Sequence, residues 1–353
     1  MADAGQKIRA GIFGASGYTG AELVRLLGQH PQVEITALTA DRKAGQAMAE
    51  VFPQFIGRDL PALTTIREVN TDAIDVVFCA LPHGTTQHVI ADLMMDQPSL
   101  RIVDLSADFR LSDVAEYAKW YGHNHEALDQ QKEAVYGVTE LYRDAIVKTR
   151  LTANPGCHST TAILPVVPLL RAGLIDTDCI VIDSKTGMSG AGRSASEAML
   201  FSEVAEGLHA YGVGKHRHTA ELDQEFSKAA GHEVLASFTP HLAPMIRGIY
   251  ATIYLRTKGG ASAGDVHKAL ADAYSGETFV QVLPLGQVPQ SRHVRGSNNC
   301  QIGVVADRVE GRVIVISTVD NLLKGASGQA VQNFNAMFGF PESTALAISG
   351  MFP

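Results

Sequence analysis

Cysteine is scarce in this 353-residue sequence, and its four occurrences, Cys79, Cys157, Cys179 and Cys300, lie far apart without a CxxC pair. That pattern suggests neither a disulfide framework nor a zinc ribbon, so each thiol has to be judged by its own surroundings. Positive charge is in deficit as well: 29 Lys and Arg stand against 37 Asp and Glu, a formal net charge of −8. A nucleic-acid surface needs a clustered basic field to neutralise phosphates, and that balance argues against one. Small anions remain admissible, because local arginines and helix N-termini can hold them on an acidic protein. No stretch reaches the ~18 uninterrupted apolar residues that suggest a membrane-crossing helix. The start, MADAGQKIRAGIFGASG, lacks the apolar segment and small-residue cleavage site of a leader. The expectation is a soluble, cytoplasmic protein with no membrane or nucleic-acid partner. Internal repeats and low-complexity segments are also missing.

What is present is enough apolar material, 46% hydrophobic residues against 19% charged, to bury two cores. KIRAGIFGA reads as a strand, a glycine-rich turn follows, AELVRLLGQH has a helical pattern, and VEITALTA reads as a second strand. IDVVFCALP continues as a buried strand, a helix runs from about Thr85 to Met95, and RIVDLS is a further strand. This alternation predicts an α/β fold, a Rossmann-type doubly wound parallel sheet, over residues 1–155. From Asp178 the texture becomes β-rich, with CIVIDSKTG, GIYATIYLRTKG, CQIGVVADRVEG and RVIVISTVDN and one evident long helix near Ala263 to Tyr274. That predicts an α+β domain on a mixed or antiparallel sheet over residues 156–322. The final stretch, 323–353, contains LLKGASGQAVQNFNAMFGF, a helix apolar on one face and suited to pack back on the first domain.

GASGYTG places Gly14, Gly17 and Gly20 three residues apart, after a strand and before a helix, with Ser16, Tyr18 and Thr19 between them. Glycine lets the backbone approach a pyrophosphate, whose charge then sits at a helix N-terminus, so the turn is a candidate dinucleotide site. The spacing is not GxGxxG, and a tight turn without a ligand is the alternative. At the end of the second strand stands Thr39, followed by Asp41, Arg42 and Lys43 in TADRK. Two adjacent cations there suit a ribose 2′-phosphate and favour NADP over NAD; taken alone they are equally a solvated charge cluster.

Cys157, in NPGCHSTTAILPVVPLL, follows a Pro-Gly pair where an apolar helix begins. A helix N-terminus stabilises a thiolate, so this thiol is the candidate nucleophile; the other three read as small strand hydrophobes. A nucleophilic thiol needs a group that takes and returns protons. GVGKHRHTAELDQEF offers His216 and His218 around Arg217, with Glu221 at helical spacing. The HxH pair can also ligate a metal, but no third ligand of plausible spacing accompanies it, and none is expected. His83, His123, His125 and His241 are weaker candidates, and Glu221 is equally a capping acid at a helix start. SKTGMSGAGR, containing Ser189 and Gly190 and ending in Arg193, is a loop suited to phosphate or cofactor, or simply a flexible turn. Arg110 in SADFR and Arg247 in PMIRG are candidates for anions.

Taken together, GASGYTG, SADFR, NPGCHSTTA, SKTGMSGAGR, KHRHTAE, TPHLAPMIRG and DNLLKGASGQAVQ closely resemble the N-acetyl-gamma-glutamyl-phosphate reductase family over nearly the whole chain, in order. The resemblance implies an NADPH-dependent enzyme of arginine biosynthesis, a homodimer or homotetramer, with an α+β catalytic domain inserted in a dinucleotide-binding domain. It implies Cys157 as nucleophile on N-acetyl-glutamyl 5-phosphate, a thioester intermediate, and an acid/base from the HRH segment, with His216 preferred. Arg110, Asn154, His218, Glu221 and Arg247 are then substrate or turn contacts, and Asn321 lies near the nicotinamide or caps the last helix. The family pattern usually has proline where Ala220 stands. Aspartate-semialdehyde dehydrogenase, a reductase of a carrier-linked acyl phosphate and a catalytically silent NADP sensor are the competing readings.

Overall fold

The computed structural model describes residues 7–352, so residues 1–6 and the last residue of the expected C-terminal stretch lie outside the described residues. The chain divides into two compact units, one of residues 1–155 with 326–347, the other of residues 156–325 with 348–353.

In the first unit seven strands form one sheet: β1 (Ile8–Phe13), β2 (Val33–Thr39), β3 (Leu63–Thr64), β4 (Val76–Cys79), β5 (Arg101–Asp104), β6 (Val135–Tyr136) and β7 (Leu151–Ala153). Their spatial order is β3-β2-β1-β4-β5-β7-β6, and every pairing is parallel. Parallel strands buried on both faces need continuous apolar runs, which is why VVFC is buried at all four positions. The order reverses between β1 and β4, and the crevice at the carboxyl ends of those strands is where such sheets take ligands. The glycine-rich turn follows β1 there. The helix Gly328–Phe338 belongs to this unit and packs against the helices Tyr18–Leu27 and Thr139–Ile146. Ten of its eleven residues are buried, and its polar Asn333 is kept by bonds from Thr139 Oγ1 to Oδ1 (2.7 Å) and from Nδ2 to the Gly137 carbonyl (2.9 Å).

The second unit is also built on seven strands: β8 (Ile175–Thr186), β9 (His209–Ala210), β10 (Ser237–Leu242), β11 (Ile249–Thr257), β12 (Val280–Val282), β13 (Cys300–Ala306) and β14 (Arg312–Val319). The order is β12-β13-β14-β11-β8-β10-β9, with parallel pairs only at β8/β10 and β12/β13. The helix Cys157–Arg171, buried from His158 to Leu170, contacts β11, β14 and β8. It carries Pro165 and Pro168, each removing one helical N–H, yet the helix continues because tertiary burial outweighs propensity here. The helix Ala263–Ala273 starts at Ser262, whose hydroxyl accepts from the Asp265 N–H in a capping box. The sequence placed residues after 323 with the first domain, but residues 348–352 fold on the second unit, where the Met351 N–H donates to the Arg295 carbonyl (2.6 Å). Among the described residues no helix is long and apolar enough to cross a membrane.

Candidate active site

In the first unit the turn after β1 shows why its three glycines differ. Gly14 has φ of +89°, and a methyl on it would lie 2.3 Å from the Ala80 carbonyl at the end of β4. A methyl on Gly20 would lie 2.4 Å from the Gly14 carbonyl, so this glycine lets the helix Tyr18–Leu27 start against the turn. Gly17 caps that helix and meets nothing nearer than 3.6 Å, which leaves the open side a phosphate would need. Thr39 is buried, and its hydroxyl accepts the Gly14 N–H (3.1 Å), so it holds the turn. Ser16, Tyr18 and Thr19 are half-buried along it, and Arg42 and Lys43 are exposed just past β2.

Arg110 and Asn154, both expected at the substrate, are buried inside the first unit. Arg110 donates to the carbonyls of Asn154 (2.8 Å) and Leu105 (3.0 Å). Asn154 donates from Nδ2 to the Ala326 carbonyl (3.1 Å) and accepts at Oδ1 from Asn333 (3.1 Å). Their geometry is that of a brace for the segment leading to Cys157.

In the second unit Cys157 is the first residue of its helix and half-buried, capped by Gly156 in an extended conformation. Helix starts leave their first N–H groups without intrahelical partners, a field that favours a thiolate and, later, an oxyanion. The helix His218–Ala230 presents its first turn to Gly156. A methyl on Gly156 would lie 2.4 Å from His218 Nε2, so that nitrogen points at the residue before Cys157. Glu221 is fully buried, its Oε2 accepts the Gly156 N–H (2.9 Å), and its Oε1 is 3.9 Å from His218 Nε2. The enclosed carboxylate ties the HRH helix to the thiol turn. Alanine at 220 does not displace the helix start, which falls at His218.

His216 stands behind His218: its Nδ1 accepts the His218 N–H (3.2 Å), and the two ring centres are 4.7 Å apart. Burial drives the His216 imidazole down to about 4, opposed by the charge of Glu221 and reinforced by that of Arg217. His158, which the sequence reading passed over, is also brought in, 5.7 Å from both His216 and His218 by ring centres. Burial, helped by His216, holds it at about 3.

These two depressed values make a stability prediction. Below about pH 6.5 the unfolded histidines take protons that the folded rings refuse, so stability is complete above that pH and falls toward pH 4. The loss is at most about 1.4 kcal/mol per pH unit for each ring. Urea unfolding midpoints should drop between neutral pH and pH ~5; unchanged midpoints would mean that water reaches both rings.

One further segment reaches the same thiol, and its neighbours are tied together. Gly325 follows Asp320 in a π-turn, Leu323–Ser327, and a methyl on it would lie 2.7 Å from Cys157 Cβ. Asn321 is buried; its Oδ1 accepts the Gly248 N–H (2.8 Å) and its Nδ2 donates to Ser189 Oγ (2.9 Å). Its side chain is therefore a clamp between two loops, with Gly190 alongside, rather than an N-cap. Arg247 Nη1 lies 3.4 Å from the fully buried Asp320 carboxylate, which also accepts the Gly296 N–H (2.7 Å). Arg193 is exposed on the segment that follows Gly190.

Comparison with known proteins follows the same division. The family model for the semialdehyde dehydrogenase NAD binding domain matches residues 9–149, and that for the semialdehyde dehydrogenase dimerisation domain matches residues 157–321. A protein of Afipia carboxidovorans, named N-acetyl-gamma-glutamyl-phosphate reductase, is 63% identical over 343 residues, 97% of each chain. One of Rhodospirillum rubrum with the same name is 59% identical over 350 residues, 99% of each. Among solved structures, aspartate semialdehyde dehydrogenase II of Vibrio cholerae shares the fold with a TM-score of 0.72 at 15% identity, over 95% of this chain and 99% of that one. The Candida albicans aspartate semialdehyde dehydrogenase, solved with NADP, gives 0.68 at 19%, over 94% and 99%.

Proposed function

The chain belongs to the N-acetyl-gamma-glutamyl-phosphate reductase family, and from that premise we propose that Cys157 carries the acyl group through the reaction. The activity is the NADPH-dependent conversion of N-acetyl-L-glutamyl 5-phosphate to N-acetyl-L-glutamate 5-semialdehyde, a step of arginine biosynthesis. One observation supports the site above others: the thiol at a helix start, with His218 Nε2 and the Glu221 carboxylate both on the residue before it.

The Cys157 thiolate adds to the acyl carbon, and the bond from that carbon to the phosphate oxygen breaks, so inorganic phosphate leaves and a thioester remains. NADPH, when bound, supplies the hydride that takes the acyl carbon to the aldehyde level. The first-turn N–H groups of the Cys157 helix hold the oxyanion formed at each addition. The carbon–sulfur bond then breaks, the aldehyde carbonyl forms, and the thiolate returns. The sequence favoured His216 for the proton; we assign it to His218, whose Nε2 borders the thiol turn, whereas His216 is half-buried, held neutral, and accepts the His218 N–H. Glu221 keeps His218 and Gly156 in register. Arg247, with a fifth of its side chain exposed, is the group we assign to a substrate anion.

The turn at Gly14, Gly17 and Gly20 fits a dinucleotide: it lies at the switch point between β1 and β4, and its middle glycine faces open space. Arg42 and Lys43 are assigned to the 2′-phosphate. Replacing both with alanine should raise KM for NADP by about tenfold or more while barely moving KM for NAD; equal changes for both cofactors would remove the assignment.

The dimerisation-domain match supports a homo-oligomer, which we take to be a dimer or tetramer, and four cysteines outside any disulfide fit the reducing cytoplasm. The test of the whole reading is phosphate-dependent reduction of NADP by N-acetylglutamate 5-semialdehyde, run beside aspartate semialdehyde. Turnover of the first substrate alone is expected; preference for the second would overturn the assignment.

A further inference from the structure

Where β11 and β14 pair, Ile249 lies opposite Val319, so Arg247 and Gly248, just before β11, meet Asp320 and Asn321, just after β14. The mechanism above uses Arg247 and gives Asp320 no task. Asp320 is fully buried, and among the described residues the partners of its carboxylate are all donors. Oδ1 accepts the N–H groups of Leu322 (2.8 Å) and Leu323 (3.2 Å); Oδ2 accepts the Gly296 N–H (2.7 Å) and Arg247 Nη1 (3.4 Å). A carboxylate is stable in such a place only when donors surround it. Three of these donors belong to the backbone, so the chain sets where the carboxylate lies and the arginine side chain is held by it.

The same residue shapes the surroundings of the thiol. Its main-chain carbonyl accepts the N–H groups of Leu323 (3.2 Å) and Gly325 (3.0 Å) and so closes the π-turn. A methyl on Gly325 would lie 2.7 Å from Cys157 Cβ and 3.3 Å from the Asp320 carbonyl oxygen, so one turn touches both. Asn321 fixes the backbone beside the arginine, since its Oδ1 accepts the Gly248 N–H (2.8 Å) at a glycine with φ of +110°. A guanidinium is a rigid fork of N–H donors, so holding one arm orients the others.

We propose that Asp320 is a positioning residue for the reaction: its carboxylate aims Arg247 while its carbonyl holds the Gly325 turn against Cys157, which together fix the distance from the bound substrate anion to the sulfur. The inference rests on the assignment of Arg247 to a substrate anion and of Cys157 to the acyl group. That anion is a carboxylate or a phosphate, and the KM values for N-acetylglutamate 5-semialdehyde and for inorganic phosphate tell which.

In Asp320→Asn an amide NH2 must face N–H groups at one oxygen position or the other, so the arginine loses its fixed partner. Whichever of the two KM values rises in Arg247→Ala should rise about 2- to 10-fold in Asp320→Asn, the effect of ordering one long side chain at binding instead of beforehand. KM for NADP should stay within about twofold. In the Arg247→Ala background the same substitution should change the affected KM by less than about twofold, because the side chain it aims is gone. A parental KM in Asp320→Asn, or factors that multiply in the double variant, overturns the proposal. If Asp320→Asn does not fold, Arg247→Lys decides: a single ammonium cannot serve the carboxylate and the anion as a fork does, so a KM near that of Arg247→Ala is expected and a parental KM overturns the proposal. Should the unmodified protein not turn over the semialdehyde, or Arg247→Ala leave both KM values parental, the reading of the site fails. Phenylglyoxal labelling of Arg247, followed on its own peptide without substrate, then decides the tether: about threefold faster labelling in Asp320→Asn is expected, and equal rates would show that Asp320 does not hold the guanidinium.

Discussion

Exchanging one sulfur for oxygen, in Cys157→Ser, is expected to lower kcat by at least about 10³-fold while KM for NADP stays within about twofold. A serine hydroxyl is not appreciably ionised at neutral pH, and the helix field that stabilises a thiolate is far too weak to ionise it. An oxygen ester would also be a poorer hydride acceptor than a thioester. Cys157 is only half-buried and the change removes no carbon, so the fold should be kept. The reverse reaction, with N-acetylglutamate 5-semialdehyde, phosphate and NADP, is the measurement, beside a thermal melt of both proteins. Activity surviving within tenfold of the parent would show that the acyl group is not carried on this sulfur.

Gly156→Ala should be nearly as damaging, for a steric rather than a chemical reason. Gly156 has φ of −69° and ψ of 149°, a conformation any residue adopts, so the backbone itself tolerates alanine. The new methyl, however, would sit 2.4 Å from His218 Nε2 and 2.7 Å from each carbon beside it. Either the imidazole moves, taking the acid/base away, or the thiol turn moves, pulling its N–H from Glu221. Displacement of about 1 Å at a reacting group costs on the order of 10² in rate, so a fall in kcat of about 10²-fold or more is expected, with a stability loss of about 1–3 kcal/mol. The cause can be separated by a cycle. If the clash acts through the ring, Gly156→Ala combined with His218→Asn should be no worse than His218→Asn alone. Additive losses would mean that the turn, and not the histidine, is what the methyl disturbs.

Both predictions concern a place that was half legible before any coordinates. NPGC before an apolar run marks a thiol at a helix start, and GASGYTG marks a tight turn between strand and helix, because backbone geometry and the hydrophobic period are local properties. The alternation of strands and helices before residue 150, and the β-rich texture after 178, determined the architecture for the same reason. The histidine pair was legible as a group near the chemistry, though not which ring borders the thiol. That depends on how two helices meet, Cys157–Arg171 and His218–Ala230, whose first residues are 61 positions apart.

Polar residues were read least well. Asn154, Asn321, Arg110 and Glu221 are polar and sit in conspicuous motifs, and each is buried and makes hydrogen bonds inside its own unit that the sequence did not reveal. A buried polar group must be paired, and its partner is commonly remote in sequence, as Asn154 is from Asn333 or Glu221 from Gly156. His158 was passed over for the same reason: a histidine one residue after Cys157 carries no signal until packing sets it against His216 and His218. The sequence by itself determined the fold class and placed a thiol at a helix start and a glycine turn between strand and helix, whose physics is local. Only the tertiary structure decided which polar atoms face each other across the core, because that pairing is set by packing between segments the chain brings together last.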